Sequence, residues 1–175
     1  MVPTKNPRLY IHEVSVRDGF QIEPEFIPTE QKVALVNALS RTGVAKIEVT
    51  SFTSPKAIPG LADAEAVMGR IDRVPGVQYA ALVPNVRGCE RALACQVDEV
   101  NVVMSASQSH NVANLRMTPE QSLGQFADIA KLVDSKAFLN ASLSTAFGCP
   151  FEGQVPLSRV LEMIDRFSDI GIEGV

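Results

Sequence analysis

The sequence predicts an α/β fold built around a parallel sheet, of the (β/α)8 TIM-barrel kind, with about the first five βα units present. Three observations predict it. Apolar, β-branched runs alternate with longer stretches of helical period along all 175 residues, with no Ser/Gly-rich linker between them. The expected strand starts lie about 20 to 40 residues apart, the length of a strand plus a crossover helix, which implies parallel strands joined by right-handed connections. Periodicity alone also admits a doubly wound open sheet. However, no G-x-G-x-x-G fingerprint follows the first strand, where Arg17-Asp18-Gly19-Phe20-Gln21 stands instead, and this favours the barrel.

Strands are expected at 9–16, 45–51, 77–83, 98–104 and 137–144, with a sixth beginning near Ile172. Five helices fall between them. Pro28-Thr29-Glu30-Gln31-Lys32 opens the first, with Thr29 as N-cap, Lys32 at the third position, a core stripe of Val33, Leu35, Val36 and Leu39, and Gly43 just past its end. Cys89 and Cys95 fall on a helix as small core residues. Another helix opens at Thr118-Pro119-Glu120-Gln121, with a Thr cap, Pro at the first position and Gln at the third; Leu123, Phe126, Ile129, Leu132 and Val133 form its apolar face. The fifth, near 156–170, presents Val160, Leu161, Ile164 and Phe167 before Gly171. Residues 105–118 read as a long polar loop.

With 46% hydrophobic and 21% charged residues, the chain has the composition of a globular protein with one sizeable core, and 1–175 is expected to be a single catalytic barrel domain. A formal charge of −4 and scattered Lys and Arg disfavour a nucleic-acid partner. No apolar run approaches the ~20 residues of a membrane-spanning helix, and no signal-peptide core is present, so the cytoplasm is the expected location. Cys89, Cys95 and Cys149, odd in number and without a C-x-x-C pair, are expected to be reduced thiols.

In a barrel, chemistry gathers at the carboxyl ends of the strands. Polar clusters stand at three such ends: Arg17-Asp18, Glu48 to Phe52, and Ser144 to Gly153. An adjacent cation and carboxylate suit a divalent metal together with a developing oxyanion.

Val14-Ser15-Val16-Arg17-Asp18-Gly19-Phe20-Gln21 and Lys46-Ile47-Glu48-Val49-Thr50-Ser51-Phe52-Thr53-Ser54-Pro55-Lys56 resemble segments of the hydroxymethylglutaryl-CoA lyase family of metal-dependent barrel lyases. The resemblance continues in order through Ala62-Asp63, Val83-Pro84-Asn85, Ser105-Ala106-Ser107 and Gly148-Cys149-Pro150-Phe151-Glu152-Gly153. It implies cleavage of a 3-hydroxy-3-methylglutaryl thioester to acetoacetate and acetyl-CoA, assisted by Mg²⁺ or Mn²⁺. Arg17 is then expected to face the enolate oxygen, Asp18 to ligate the metal, and Glu48 to belong to the catalytic group. Gln21, Ser51 and Phe52 match positions that shape the acyl pocket, and Asn114 a substrate position. The implied partner is an acyl-CoA, with a homodimer as a further expectation.

Two departures bear on substrate preference. The segment Gln108 to Arg116 keeps Asn114 but lacks the lysines usual before it, and Phe20 replaces the more usual Leu. The family's later His-x-His pair, its Asn and its general-acid Cys do not occur here, so the chain is expected to stop inside strand six and to expose apolar barrel-interior side chains. By the same pattern Cys149 is structural or redox-sensitive rather than the catalytic thiol. His12 reads as a packed core imidazole and His110 as an exposed loop residue. A related barrel running Claisen or aldol chemistry on 2-oxo acids would share Arg17-Asp18, and an inactive partial barrel serving as an interaction module would lack the later ligands.

Overall fold

A computed structural model describes residues 9–175. Five strands, β1 (His12–Glu13), β2 (Lys46–Ser51), β3 (Gln78–Leu82), β4 (Glu99–Ser105) and β5 (Phe138–Ser144), form one all-parallel sheet in the order β1-β2-β3-β4-β5. This order decides between the two architectures the sequence left open. A doubly wound sheet reverses its direction of winding at a switch point, whereas each strand here is laid beside its predecessor, always on the same side, as in a barrel wall. The sheet is therefore a half-barrel. A sixth strand begins where expected: Ala141 N–H donates to Gly174 O (2.9 Å) and Glu173 N–H to Leu139 O (2.9 Å).

The helices are α1 (Phe20–Ile22), α2 (Thr29–Leu39), α3 (Ala64–Met68), α4 (Val86–Ala94), α5 (Gln108–Leu115), α6 (Pro119–Val133) and α7 (Leu157–Ile170). The best-specified start is that of α6. Thr118 and Gln121 form a capping box, each side chain receiving the other's backbone N–H, with Pro119 at the first position. Leu123, Phe126, Ile129 and Val133 of α6 are buried, and Phe126 meets Phe167 of α7 with ring centroids 6.1 Å apart. Gly171 ends α7 at φ 93°, a conformation a Cβ would strain.

Several expectations are corrected. The first strand, expected over 9–16, pairs only at His12 and Glu13, because the chain then coils into a π-helical turn, Ser15–Gly19. Arg17 and Asp18 N–H both donate to Val14 O (3.0 and 2.8 Å), so their backbone donors are satisfied locally rather than by a neighbouring strand. In α2, Pro28 is the N-cap and Thr29 the first helical residue; the Thr29 hydroxyl instead donates to Asp63 Oδ2 (2.7 Å). The buried side of α2 carries Lys32, Val36 and Ser40, with Val33 and Leu39 partly covered, while Leu35 faces solvent. Lys32 lies in the interior because its ammonium is fully engaged: Nζ donates to Asp63 Oδ1 and Gly60 O, both at 2.6 Å, and sits 4.2 Å from the centre of the Phe26 ring. In α7, Met163 takes the buried position and Leu161 is exposed.

The expected polar loop 105–118 contains helix α5. Asn111 explains it: buried, it accepts from Ser105 N–H (2.8 Å) and donates to Met117 O and Ser122 Oγ (both 2.9 Å). These tertiary hydrogen bonds fix a segment whose own sequence has no apolar stripe.

The concave face of the sheet is polar, contrary to the apolar interior expected. Lys46, Glu48, Glu99, Asn101, Asn140 and Ser142 share one concavity of about 320 Å³, and Lys46 pairs with Glu99. The alternate residues Ile47, Val49, Val100, Val102, Leu139 and Ala141 are buried on the helix side. His12 also lines the polar concavity and is exposed, so it is not a packed core imidazole.

Candidate active site

Beyond the carboxyl ends of β3, β4 and β5 lies a cleft of about 710 Å³, within the range of small-molecule sites. Arg17, Asp18, Gln21, Asn85, Asn101, Asn114, Ser142 and Ser144 contribute to its lining. Arg17, Asn101 and Ser142 also line the polar concavity beneath, so they form the partition between the two.

The π-helical turn carries Arg17 and Asp18 into the cleft together. Arg17 is clamped from both sides: Nε donates to Glu48 Oε1, and Nη1 donates to Asp18 Oδ1 at 2.7 Å. Glu48 reaches this position from β2, where the pairing with β3 shifts between Glu48 and Thr50, a local irregularity that re-aims side chains. It is buried, and its other oxygen accepts from Asn101 Nδ2 at 2.6 Å. The Asp18 side chain is 62% exposed, so its carboxylate remains open toward the cleft. The guanidinium offers donors in a fixed fork, which suits it to an oxygen that gains negative charge.

Gln21 on α1 and Asn114 on α5 both line the cleft. Gln21 is held there by a close approach: a Cβ on Gly60 would lie 2.7 Å from Phe20 O, so the turn at Pro59–Leu61 sits directly against α1. Ser51 and Phe52 do not reach the cleft. Ser51 Oγ shares a hydrogen bond with Thr53 Oγ1 (2.7 Å), and it is Thr53 that lines the wall. Phe52 is buried in the core, with the Arg91 guanidinium 5.4 Å from its ring centre.

Cys149 is buried and linked to Ser107 Oγ (2.9 Å). Burial opposes its thiolate, but hydrogen bonds from the Ser107 hydroxyl and the Glu152 and Phe151 amides outweigh that and hold its pKa below the ordinary thiol value. It does not line the cleft. Cys89 lies fully in the core of α4, where burial pushes its thiol up to about 11. His110 is part of α5 rather than a loop, and its Nδ1 shares a 2.7 Å hydrogen bond with Ser105 Oγ.

Asn101, Asn85 and Ser142 were not among the expected site residues. A signal for two of them is present in the sequence. In β4 and β5 polar side chains recur at every second position, Glu99 and Asn101 in one and Asn140, Ser142 and Ser144 in the other, marking one face as polar.

Residues 8–175 match the family model described as HMGL-like. The chain belongs to this family. It is 46% identical over 170 residues to the hydroxymethylglutaryl-CoA lyase of Bacillus subtilis, covering 94% of this chain and 56% of that protein. Against the human cytoplasmic 3-hydroxy-3-methylglutaryl-CoA lyase the identity is 38%, covering 92% and 44%. Among solved structures, an HMG-CoA lyase from Acinetobacter baumannii in complex with coenzyme A and 3-methylmalate superposes with a TM-score of 0.90 at 44% identity, covering 94% of this chain and 54% of that one. The B. subtilis HMG-CoA lyase structure gives 0.91 at 44% identity, covering 94% and 56%. The chain thus spans about half the length of the HMGL-like relatives it matches.

Proposed function

We propose that this chain carries the Arg17 side of the active site of a carbon–carbon lyase that cleaves 3-hydroxy-3-methylglutaryl-CoA, or a related 3-hydroxyacyl-CoA, to acetoacetate and acetyl-CoA. The observation that carries the reading is the Arg17 guanidinium clamped between Asp18 and Glu48 in the wall of the cleft. The kinship to hydroxymethylglutaryl-CoA lyases, one of them bound to coenzyme A, supports an acyl-CoA as substrate. The human relative's cytoplasmic form supports a cytoplasmic location, and among the described residues no helix is long and apolar enough to cross a membrane.

In the reaction the tertiary hydroxyl loses its proton, the carbonyl of acetoacetate forms, and the electrons of the breaking carbon–carbon bond pass to the departing unit as a thioester enolate. That enolate then takes a proton at carbon to become acetyl-CoA. Arg17 meets the need for positive charge at the enolate oxygen. Its orientation is fixed before substrate arrives, so little reorganisation opposes the transition state. Glu48, with one oxygen on Arg17 and the other on Asn101, serves chiefly to aim that guanidinium. Gln21, Asn85 and Asn114 supply neutral amides for the polar parts of the acyl chain.

A hard divalent cation, Mg²⁺ or Mn²⁺, fits the Asp18 carboxylate, which is exposed at the cleft and made of oxygen donors. When bound, such an ion would polarise the substrate hydroxyl and lower its pKa. Asp18 would be one ligand; among the described residues no cluster of three His, Cys, Asp or Glu side chains completes a coordination shell.

The test is acetyl-CoA release from hydroxymethylglutaryl-CoA and Mg²⁺ by the intact protein. Arg17→Gln is expected to lower kcat by about 100- to 1,000-fold, the usual effect of removing an oxyanion donor. Full activity in that variant refutes the role given to Arg17. Consumption of a 2-oxo acid with an acyl-CoA, and no release from hydroxymethylglutaryl-CoA, would replace the lyase with a condensing barrel.

A further inference from the structure

We infer that Asn101 is a positioning residue: it holds the Glu48 carboxylate, and through it the Arg17 guanidinium, in the orientation presented to the cleft. The inference rests on the lyase reading for its catalytic consequence, but not for its geometry.

Glu48 is buried, and a buried carboxylate needs a donor for each oxygen. Arg17 Nε serves Oε1, and Asn101 Nδ2, at 2.6 Å, serves Oε2. A carboxylate only accepts, so the NH₂ end of Asn101 must face it, and the amide oxygen must then point the other way. There two donors meet that oxygen: Asn140 Nδ2 at 3.1 Å and Ser142 Oγ at 3.2 Å, both from β5. Every polarity in the chain of contacts from β5 through β4 to β2 and the π-helical turn is therefore determined. The backbone of Asn101 is anchored as well, its carbonyl accepting from Val83 N–H at 2.8 Å. Without this amide, Glu48 Oε2 would lose its donor, and the carboxylate would turn to share Arg17 between both oxygens. The guanidinium, tied also to Asp18, would turn with it.

The experiment substitutes Asn101→Leu, similar in size and without hydrogen-bonding groups, in the intact protein. The Arg17 Nε–H resonance is followed by ¹⁵N NMR, assigned by its disappearance in Arg17→Lys. Its exchange with solvent is expected to accelerate about 10-fold, the loss of roughly one hydrogen bond's net protection. With hydroxymethylglutaryl-CoA, kcat is expected to fall about 10- to 100-fold, as when an outer-shell partner is removed, with KM changed less than about twofold. In a Glu48→Ala background the same substitution is expected to have no further effect on kcat. An unchanged exchange rate, or an equal fold-loss of kcat with and without Glu48, overturns the inference. If Asn101→Leu fails to fold, the pair Asn140→Ala and Ser142→Ala, which frees the amide oxygen of Asn101, is read in the same way. If the unsubstituted protein releases no acetyl-CoA, the lyase reading falls and the Arg17 exchange rate alone decides: faster exchange supports the positioning role, and unchanged exchange refutes it.

Discussion

Lys32→Met tests whether one buried ion pair secures a wall of the cleft. The Lys32 side chain is 3% exposed, and its ammonium meets Asp63 Oδ1 and Gly60 O at 2.6 Å each. Methionine keeps most of the volume, so the change removes charge and donors rather than packing. It leaves the Asp63 carboxylate, 13% exposed, with the Thr29 hydroxyl as its remaining side-chain donor, and leaves Gly60 O without its ammonium. Breaking a buried pair from one side costs about 3–5 kcal/mol, because the other charge stays uncompensated. For a domain of this size that corresponds to a fall in Tm of roughly 10 °C. The double variant Lys32→Met, Asp63→Leu removes both charges and is expected to recover most of the loss. Because Lys32 also fixes Gly60, which abuts α1, the single variant is expected to raise KM for the thioester through Gln21. Urea unfolding of the intact protein and its variants measures the energies. A cost below about 1 kcal/mol for the single variant, or a double variant as unstable as the single, would refute the reasoning.

Gly60→Ala puts a Cβ 2.7 Å from Phe20 O, so the backbone must move; a cost of about 1–3 kcal/mol is expected by urea unfolding, and wild-type stability would show that the two turns are not in contact as described. Asn111→Ala removes three hydrogen bonds and is expected to release α5, seen as hydrogen exchange of residues 108–115 approaching that of an unstructured segment; unchanged protection would show that α5 holds without this anchor. Glu152 accepts from the Ser109 backbone N–H at 2.7 Å, and that bond foremost, with Ser109 and Ser107 side chains and Arg159 assisting, holds its carboxyl down at about 2 against an ordinary 4.5. A depressed carboxylate contributes stability that is present above its unfolded pKa and lost as pH falls through the folded one. The unfolding free energy of Glu152→Gln should therefore decline less than that of the unsubstituted protein between about pH 4.5 and pH 2, and parallel curves would refute the contact.

The sequence by itself determined the elements whose signals are local. Residues at i, i+3 and i+4 place a side of α6 against the sheet, Thr118 and Gln121 can only cap its start, and Gly171 permits the left-handed stop of α7. The ordered motifs likewise marked Arg17 and Asp18 just beyond β1, where the π-helical turn holds them, whereas Glu48, expected near the end of its strand, lies within β2 on the polar concave face. Tertiary structure alone decided what depends on partners distant in the chain. Whether Lys32 is buried depends on Asp63, whether residues 108–115 coil depends on how Asn111 meets Ser105, Met117 and Ser122, and whether Phe52 faces substrate or core depends on Arg91 and α4. Barrel and doubly wound sheet share one periodicity because period reports which face a residue occupies, not which strand lies beside it; that was decided by the unbroken order of β1 through β5.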